Sequence, residues 1–385
     1  MGTSTSANWP CMLPSTSSRK SPPRRAVAAS SMTTTTVALT KRPAGDDVDD
    51  AGRSSTALSK RHKPDQQGLQ ITEPSRTSTL PAPNMLLSGH GAAVHVNRFN
   101  GDGSVLASGS FDKQIFLWRT VGDDDACDNF LCLSGHQAAV LDLCWSSDSQ
   151  RIYSVGADKL VVVWDAEVGA HVRKLRAHSS FVNACAASRT QVDVFASAGD
   201  DRAALLWDLR ARGPQARVQS AFPITAVALG KDDRHMFVGG IDPDVRQFDL
   251  RTLQQSMVLE GAQDTITGVA LSGDGAYLLT NAMDNVVRCF DVRPFCPEAR
   301  LVKTFLGASH DFEKNLLRCA WSADDAKVAA GSADRFVHVW DVATTRIQYK
   351  LPGHKGSVND VAFHPSQPII ASASSDGTVY LGELN

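Results

Sequence analysis

The chain has 385 residues, 42% of them hydrophobic and 21% charged, with a formal net charge of −2. No apolar run approaches the roughly 20 residues that span a bilayer as a helix, so the composition is that of an ordinary globular protein rather than a helical membrane protein. The charge is uneven: residues 1–83 carry 11 Lys and Arg against 6 Asp and Glu, a balance of +5, and the rest carries 28 against 35, a balance of −7.

Residues 1–83 come first and are dominated by Ser, Thr, Pro, Ala and Arg. They include a run Thr33–Thr36, an acidic cluster Asp46, Asp47, Asp49 and Asp50, and hardly an aromatic residue besides Trp9. Such a segment cannot bury enough apolar surface to offset its conformational entropy, so a disordered, low-complexity tail is expected. Two addresses compete within it. The first 45 residues lack Asp and Glu and are rich in Ser, Thr and Arg, as an organellar transit peptide is. Lys41-Arg42 and Lys60-Arg61-His62-Lys63 read instead as a loose nuclear-import signal. A solvated tail with no address is the third reading.

From residue 85 onward the sequence repeats. Gly89-His90, Gly135-His136 and Gly353-His354 recur, with Ala177-His178 as a near match, and an Asp recurs at 112, 158, 201, 242, 284, 334 and 376. The separations are 46, 43, 41, 42, 50 and 42 residues, the period of WD40 units rather than of ankyrin or tetratricopeptide arrays. Within a unit, short runs rich in β-branched and large apolar residues, such as Gln114-Ile115-Phe116-Leu117-Trp118, alternate with turns such as Asn100-Gly101-Asp102-Gly103. Each unit therefore predicts one four-stranded blade, and seven blades must stack around an axis because one alone cannot bury both faces. The fold class expected is all-β, a seven-bladed WD40 β-propeller over residues 84–385. The last unit ends after its third strand, Thr378-Val379-Tyr380-Leu381, and Met85-Leu86-Leu87 is expected to supply the fourth and close the ring.

The residues most easily mistaken for a hydrolytic site recur in the first three units: His90, Ser108, Asp112 and Trp118; His136, Ser154, Asp158 and Trp164; His178, Ser197, Asp201 and Trp207. Three copies at nearly constant spacing resemble the structural tetrad of WD repeats, a hydrogen-bonded chain from the turn Asp through His and Ser to the Trp indole. Later units depart from it. The fourth has Val238 and Phe248 and no His; the fifth has Ala262 and Phe290; the sixth keeps His310 and Trp340 but has Ala330; the seventh keeps His354 and Ser372 but has Gly382 for Trp. Blades four to six are accordingly expected to lean on packing rather than on polar networks.

Other chemistry finds no motif. There is no GxxxxGK loop, dinucleotide fingerprint, HExxH or GxSxG. The eight cysteines, at 11, 127, 132, 144, 185, 289, 296 and 319, form no CxxC pair, and reduced, mostly buried thiols in an intracellular protein are expected. No catalytic residue, cofactor, metal or small-molecule substrate is expected, and no membrane partner.

What a propeller offers is its rim and two faces. In WD repeats generally, partners touch the top face through the residue just after the apolar position that follows the GH dipeptide and through the residue before the turn Asp. Carried onto this chain, these positions include the apolar side chains Phe111, Leu141, Ile241, Met283 and Leu317, the candidate protein-binding residues. The 50-residue spacing between Asp284 and Asp334 carries two insertions, Pro294-Phe295-Cys296-Pro297 and His310–Lys314. Loops longer than a scaffold needs are often functional, so this rim is a second candidate.

Less generic stretches narrow the family. Asn281-Ala282-Met283-Asp284-Asn285, Phe290-Asp291-Val292-Arg293-Pro294-Phe295, His310-Asp311-Phe312-Glu313-Lys314-Asn315-Leu316-Leu317-Arg318-Cys319 and Tyr349-Lys350-Leu351-Pro352-Gly353-His354 are not repeat consensus. Over residues 84–385 the chain resembles the forty-kilodalton WD-repeat family of the U5 small nuclear ribonucleoprotein (U5 snRNP). The resemblance implies a non-catalytic nuclear scaffold of the spliceosome in pre-mRNA splicing. Its implied partners are a Prp8-like U5 protein and other U5 and tri-snRNP proteins, with U5 RNA reached indirectly through the particle.

Two other classes stay open. Trp207-Asp208-Leu209-Arg210 fits the WDxR signature of substrate receptors of cullin-RING ubiquitin ligases and makes Arg210 a candidate ligase-adaptor contact. Direct RNA binding by the disc is disfavoured, because it needs Lys and Arg gathered with stacking aromatics and the repeat region is net acidic.

Overall fold

The structure, a computed structural model, describes residues 78–120, 129–296 and 299–384. Residues 1–77 of the expected tail, with both address signals, lie outside the described residues, as do Cys11, Cys127 and Pro297; the tail's last residues, 78–83, are ordered against blade seven, with Leu80 buried beside Leu87 and Leu381, so the expected tail runs too far.

Seven antiparallel four-stranded sheets follow one another along the chain. In blade one the strands are Val94–Phe99, Val105–Ser110, Gln114–Arg119 and Asn129–Ser134, counted from the axis outward. The innermost strands of the next six blades are Val140–Trp145, Val182–Ala187, Ile224–Leu229, Ile266–Leu271, Cys319–Trp321 and Val358–Phe363. Blade seven takes its outermost strand from the start of the repeats: Asn84–Ser88 pairs antiparallel with Thr378–Glu383, with Leu86 opposite Tyr380 and Leu87 opposite Val379. We call the face where the innermost strands begin the top and the face where they end the bottom.

Period-2 alternation decides which side chain faces which blade. Apolar clusters fill every seam. Val94, Leu106, Phe116 and Trp118 of blade one meet Ala371, Val379 and Leu381 of blade seven together with Leu87 of the closing strand. Val96, Ile115 and Leu117, from the other face of blade one, meet Val140, Leu143 and Trp164 of blade two. Fully burying one such side chain stabilises the fold by about 1.5–3 kcal/mol, so the seams hold the ring together.

Two expectations about side chains need correction. Of the six described cysteines, only Cys185, Cys289 and Cys319 are buried; Cys132 is exposed because it lies on an outermost strand, away from the seams. The two insertions of the fifth and sixth units do not form one rim region. Residues 292–296 follow a third strand at the bottom, whereas residues 307–318 lead from an outermost strand to the next innermost one and sit at the top.

Candidate protein-docking faces

The Ser, His and Asp groups of the first three blades are joined in the manner of a support. In blade two, Trp164 Nε1 donates to Ser154 Oγ at 2.7 Å, Ser154 Oγ lies 2.7 Å from His136 Nε2, and His136 Nδ1 lies 2.9 Å from Asp158 Oδ2. Blade one repeats this through Trp118, Ser108, His90 and Asp112 at 2.8, 2.8 and 2.9 Å, and blade three through Trp207, Ser197, His178 and Asp201 at 2.8, 2.7 and 3.0 Å. Neutral imidazole with its proton on Nδ1 satisfies every member, and burial lowers the pKa of His90 and His178 against the raising pull of Asp112 and Asp201. All three serines are fully buried, with the hydroxyl shared between an indole and an imidazole, so no substrate carbonyl can reach them. Each Asp also closes its own turn: Asp112 Oδ1 accepts from Gln114 N at 3.0 Å, and Lys113 between them has φ 72°. In blade seven His354 joins Ser372 and Asp376, and Tyr380 packs edge-on against it with ring centroids 4.7 Å apart.

Blades four to six do not rely on packing alone, contrary to expectation. Four residues after the turn Asp, on the third strand, stands a residue that takes the place of the missing His. Arg246 pairs with Asp242; Arg288 holds Asp284 with two contacts, at 3.0 and 2.7 Å; His338 Nε2 meets Asp334 Oδ2 at 3.0 Å. The signal is present in sequence as Asp-x-x-x-Arg or Asp-x-x-x-His, and it goes unrecognised because the tetrad places its His on the preceding loop. In blade one the same strand position holds Phe116, stacked on His90 at 4.2 Å, which shows that this position faces the tetrad pocket. His310 does not serve Asp334. It sits near Asn281 of blade five, its Nδ1 unpartnered and its pKa pushed by burial down to about 4. With Ala330 in the Ser position, Trp340 Nε1 donates to Leu306 O at 2.9 Å instead.

At the top face the innermost strands of all blades but six carry a β-bulge, between Val94 and Val96, Val140 and Asp142, and so on around the ring. A bulge leaves one residue off the ladder and re-aims its side chain. Those residues are His95, Leu141, Asn183, Thr225, Thr267 and Asn359. Four of them are used between blades: Asn183 Nδ2 donates to Ile224 O, Thr225 Oγ1 to Ile266 O, Thr267 Oγ1 to Leu317 O and Asn359 Nδ2 to Val94 O. They are buried clasps.

The apolar candidates separate accordingly. Phe111 and Ile241 are exposed, at 57% and 46%, on turns at the top. Leu141 and Met283 are half-buried. Leu317 is 1% exposed and leaves the set of surface anchors. Blade six has no bulge, its innermost strand starts only at Cys319, and the backbone before it is held by Thr267 Oγ1 and Asn281 Nδ2 on the Leu317 carbonyl, which turns the side chain inward. Sequence reasoning missed Phe181 and Phe222, exposed at 38% and 48% on loops of the same top face, where Phe312, inside the His310–Lys314 insertion it did single out, is 85% exposed. Their signal is an aromatic placed in the polar loop ahead of an innermost strand. On the bottom face, Phe295 is 93% exposed, and Arg210 extends from the turn after Trp207-Asp208 with 79% of its side chain exposed, its Nε 3.3 Å from Asp193.

The axis itself is bridged. Arg318 of blade six reaches across to blades two and three, donating to Asp142 Oδ2 at 2.8 Å, Leu141 O at 3.3 Å and Asn183 O at 2.9 Å. Burial pushes the Asp142 carboxyl up, opposed by Arg318 and Arg98. Asp360, at the same strand position in blade seven, accepts from Asn97 N at 3.0 Å and pairs with Arg98. Arg318 therefore bridges the axis between blade six and blades two and three. No group of three or more metal-ligating side chains occurs among the described residues.

Comparison with known proteins adds the following. The family described as WD domain, G-beta repeat matches residues 82–119, 128–165, 169–208, 253–291, 300–341 and 345–381. The first three strands of blade four, which lacks the tetrad His and Trp, fall between the matched segments 169–208 and 253–291. A U5 small nuclear ribonucleoprotein 40 kDa protein from Dictyostelium discoideum is 45% identical over 341 residues, 86% of this chain and 95% of that protein. Pre-mRNA-splicing factor cwf17 of Schizosaccharomyces pombe is 46% identical over 83% of this chain and 94% of its own length. The human U5 small nuclear ribonucleoprotein 40 kDa protein is 49% identical over 81% and 86%.

Proposed function

Because the chain belongs to the WD40-repeat family, and within it to the group of U5 small nuclear ribonucleoprotein 40 kDa proteins, we propose that it is a protein–protein scaffold of the U5 particle in pre-mRNA splicing. The observation that carries the reading is the identity of 45–49% along nearly the whole length of these relatives. The role is non-catalytic, for the serines and histidines that could suggest hydrolysis are spent inside the blades. Work in the spliceosome places the protein in the nucleus. Its direct partner is a Prp8-like U5 protein, with other U5 and tri-snRNP proteins around it and U5 RNA reached through the particle. Phe111 and Ile241, with the half-buried Leu141 and Met283, are the anchors on the top face. Exposed aromatic and aliphatic side chains on a rigid platform are the usual anchors of an interface.

Affinity purification of the tagged protein from nuclear extract, followed by mass spectrometry and RNA analysis, tests this. U5 RNA and the Prp8-like protein should co-purify, and Phe111→Ala combined with Ile241→Ala should reduce the protein partners. Their absence from the native purification overturns the assignment.

A second reading rests on Arg210, presented to solvent by the turn that Asp208 Oδ1 closes on Arg210 N at 2.8 Å. An Arg at this place in a WDxR sequence suits a cullin-RING ligase adaptor. Arg210→Ala should abolish adaptor co-purification and leave U5 proteins bound; an adaptor that never co-purifies ends this reading.

A further inference from the structure

On the top face, the sector of blades four and five joins exposed apolar side chains to an unbalanced charge. Phe222 and Ile241 stand exposed side by side, because Ile241 N donates to Pro223 O at 3.2 Å. Half-buried Met283 is tied in the same way to the next loop, its N donating to Thr265 O at 2.9 Å. Thr225 Oγ1 clasps Ile266 O between the two blades, so the patch stands on a fixed base. Apolar groups held in place at the surface mark an interface.

The charge around this patch departs from the repeat. In blades one to three the residue after the turn Asp is a cation, Lys113, Lys159 or Arg202; in blades four and five it is Pro243 or Asn285. Residues 219–224, 240–246, 259–265 and 282–288 carry five carboxylates against two guanidinium groups, a balance of −3. The corresponding residues of blades one to three, 88–94, 110–116, 134–140, 156–162, 175–181 and 199–205, carry four charges of each sign. Both guanidinium groups of the sector are taken, Arg246 by Asp242 and Arg288 by Asp284. Asp244, Glu260 and Asp264 meet no cation at ion-pair distance among the described residues. Burial first, and then Asp242 and Glu260, push the Asp244 carboxyl up against the opposing pull of Arg246. His310, near Asp284 and Asp264, is kept neutral by burial and offsets none of this charge.

We propose that this sector of the top face takes a basic segment of a partner protein, one in which Lys or Arg flank a large apolar residue. The inference rests on the reading of the top face as a docking surface and names the chemistry of what docks there. The apolar residue covers Phe222 and Ile241, and the flanking cations meet Asp244, Glu260 and Asp264, which the fold leaves uncompensated. Complementary charge of this kind sets register and partner choice more than affinity. The neighbouring loop, residues 307–318, extends the pattern, with exposed Phe312 between Asp311 and Glu313 and Lys314 after them. A polyanion such as RNA is repelled by the same carboxylates.

Fluorescence anisotropy on the full chain, at low ionic strength, tests the site with three fluorescein-labelled peptides: KRFLKR, its charge-reversed form EEFLEE, and KRSSKR, which keeps the charge and lacks the apolar pair. The native protein should bind KRFLKR more tightly than either of the others. Glu260→Lys combined with Asp264→Lys, both exposed, should weaken binding about tenfold, since each change turns an attraction into a repulsion. Ile241→Ala should weaken it about fivefold through the lost apolar contact. Lys113→Glu combined with Lys159→Glu, on blades one and two, should leave it within about twofold, because exposed charges beyond a Debye length are screened. Thermal melts report whether each variant folds. Carbodiimide crosslinking of KRFLKR to the native protein needs no variant and should join the peptide lysines to Glu260 or Asp264, read by mass spectrometry. No binding, equal binding of EEFLEE or KRSSKR, affinity unchanged in the folded Glu260 and Asp264 variant, or crosslinks that join these carboxylates to lysines of residues 1–77 instead, each overturns the proposal. U5 proteins that co-purify although the peptide does not bind would leave the splicing assignment standing without this site, and peptide binding with no U5 protein co-purified would overturn that assignment alone.

Discussion

Replacing Leu87 by alanine should loosen the seam at which the ring closes. Leu87 is the fourth of five residues in the strand that completes blade seven, lies opposite Val379, and is 3% exposed among Leu106, Phe116, Trp118, Val379 and Leu381. Removing most of a buried leucine costs the lost transfer free energy plus a cavity, about 2–5 kcal/mol. For a domain of this size each kcal/mol lowers Tm by roughly 2 °C, so a drop of about 4–10 °C is expected in a thermal melt. Leu86 supplies the internal control. It sits one residue earlier on the same strand, points outward and is 52% exposed, so Leu86→Ala should stay within about 0.5 kcal/mol, near 1 °C. The backbone pairing is the same in both variants, and the difference isolates side-chain burial in the closing seam. Equal shifts for the two variants, or a Leu87→Ala melt within 1 °C of native, would refute closure by this strand.

Ser154→Ala leaves both His136 Nε2 and Trp164 Nε1 without a partner in a buried site; at about 1–3 kcal/mol per orphaned group, a loss of roughly 2–6 kcal/mol should appear in urea unfolding, and a loss below 1 kcal/mol contradicts a supporting role. Arg288→Met strands the Asp284 carboxylate and should cost about 3–5 kcal/mol, with Asp284→Asn in the same chain restoring part of it; an Arg288→Met protein as stable as native would mean that blade five does lean on packing alone. Stability should also fall in mild acid. Burial holds His95 and His310 neutral in the fold, with pKa values lowered from 6.5 to about 4, while the unfolded chain takes up protons on them below about pH 6.5. The stabilisation is therefore present above pH 6.5 and is lost as the pH falls toward 4, on the order of 3 kcal/mol per histidine. Tm measured from pH 7.5 to 4.5 should drop less steeply in His310→Gln than in the native protein, and parallel curves would remove His310 from the account.

Much of this protein was legible along the chain because a propeller is a repeat. The spacing of the turn Asp residues counts the blades, the alternation within each unit sets its strands, and the Ser, His, Asp and Trp of the first three units meet at hydrogen-bond distance because each network is confined to one blade. Even the substitutes Arg246, Arg288 and His338 are local, four residues from their partners, and a search for a cation at that offset would have found them.

What the chain order could not settle lies between blades and across the axis. Leu317 is apolar and stands where a surface residue belongs, yet it is buried, in a blade whose innermost strand has no bulge and starts only at Cys319. Asn183, Thr225, Thr267 and Asn359 occupy face positions by count, but each is drawn to the carbonyl of the next blade. Arg318 meets Asp142 across 176 residues of sequence, and only the closed ring brings them within 2.8 Å. Periodicity carries everything that one blade decides alone. The clasps and the arginine across the axis depend on the circumference closing, since only then do side chains from opposite blades share the same few ångströms around the axis.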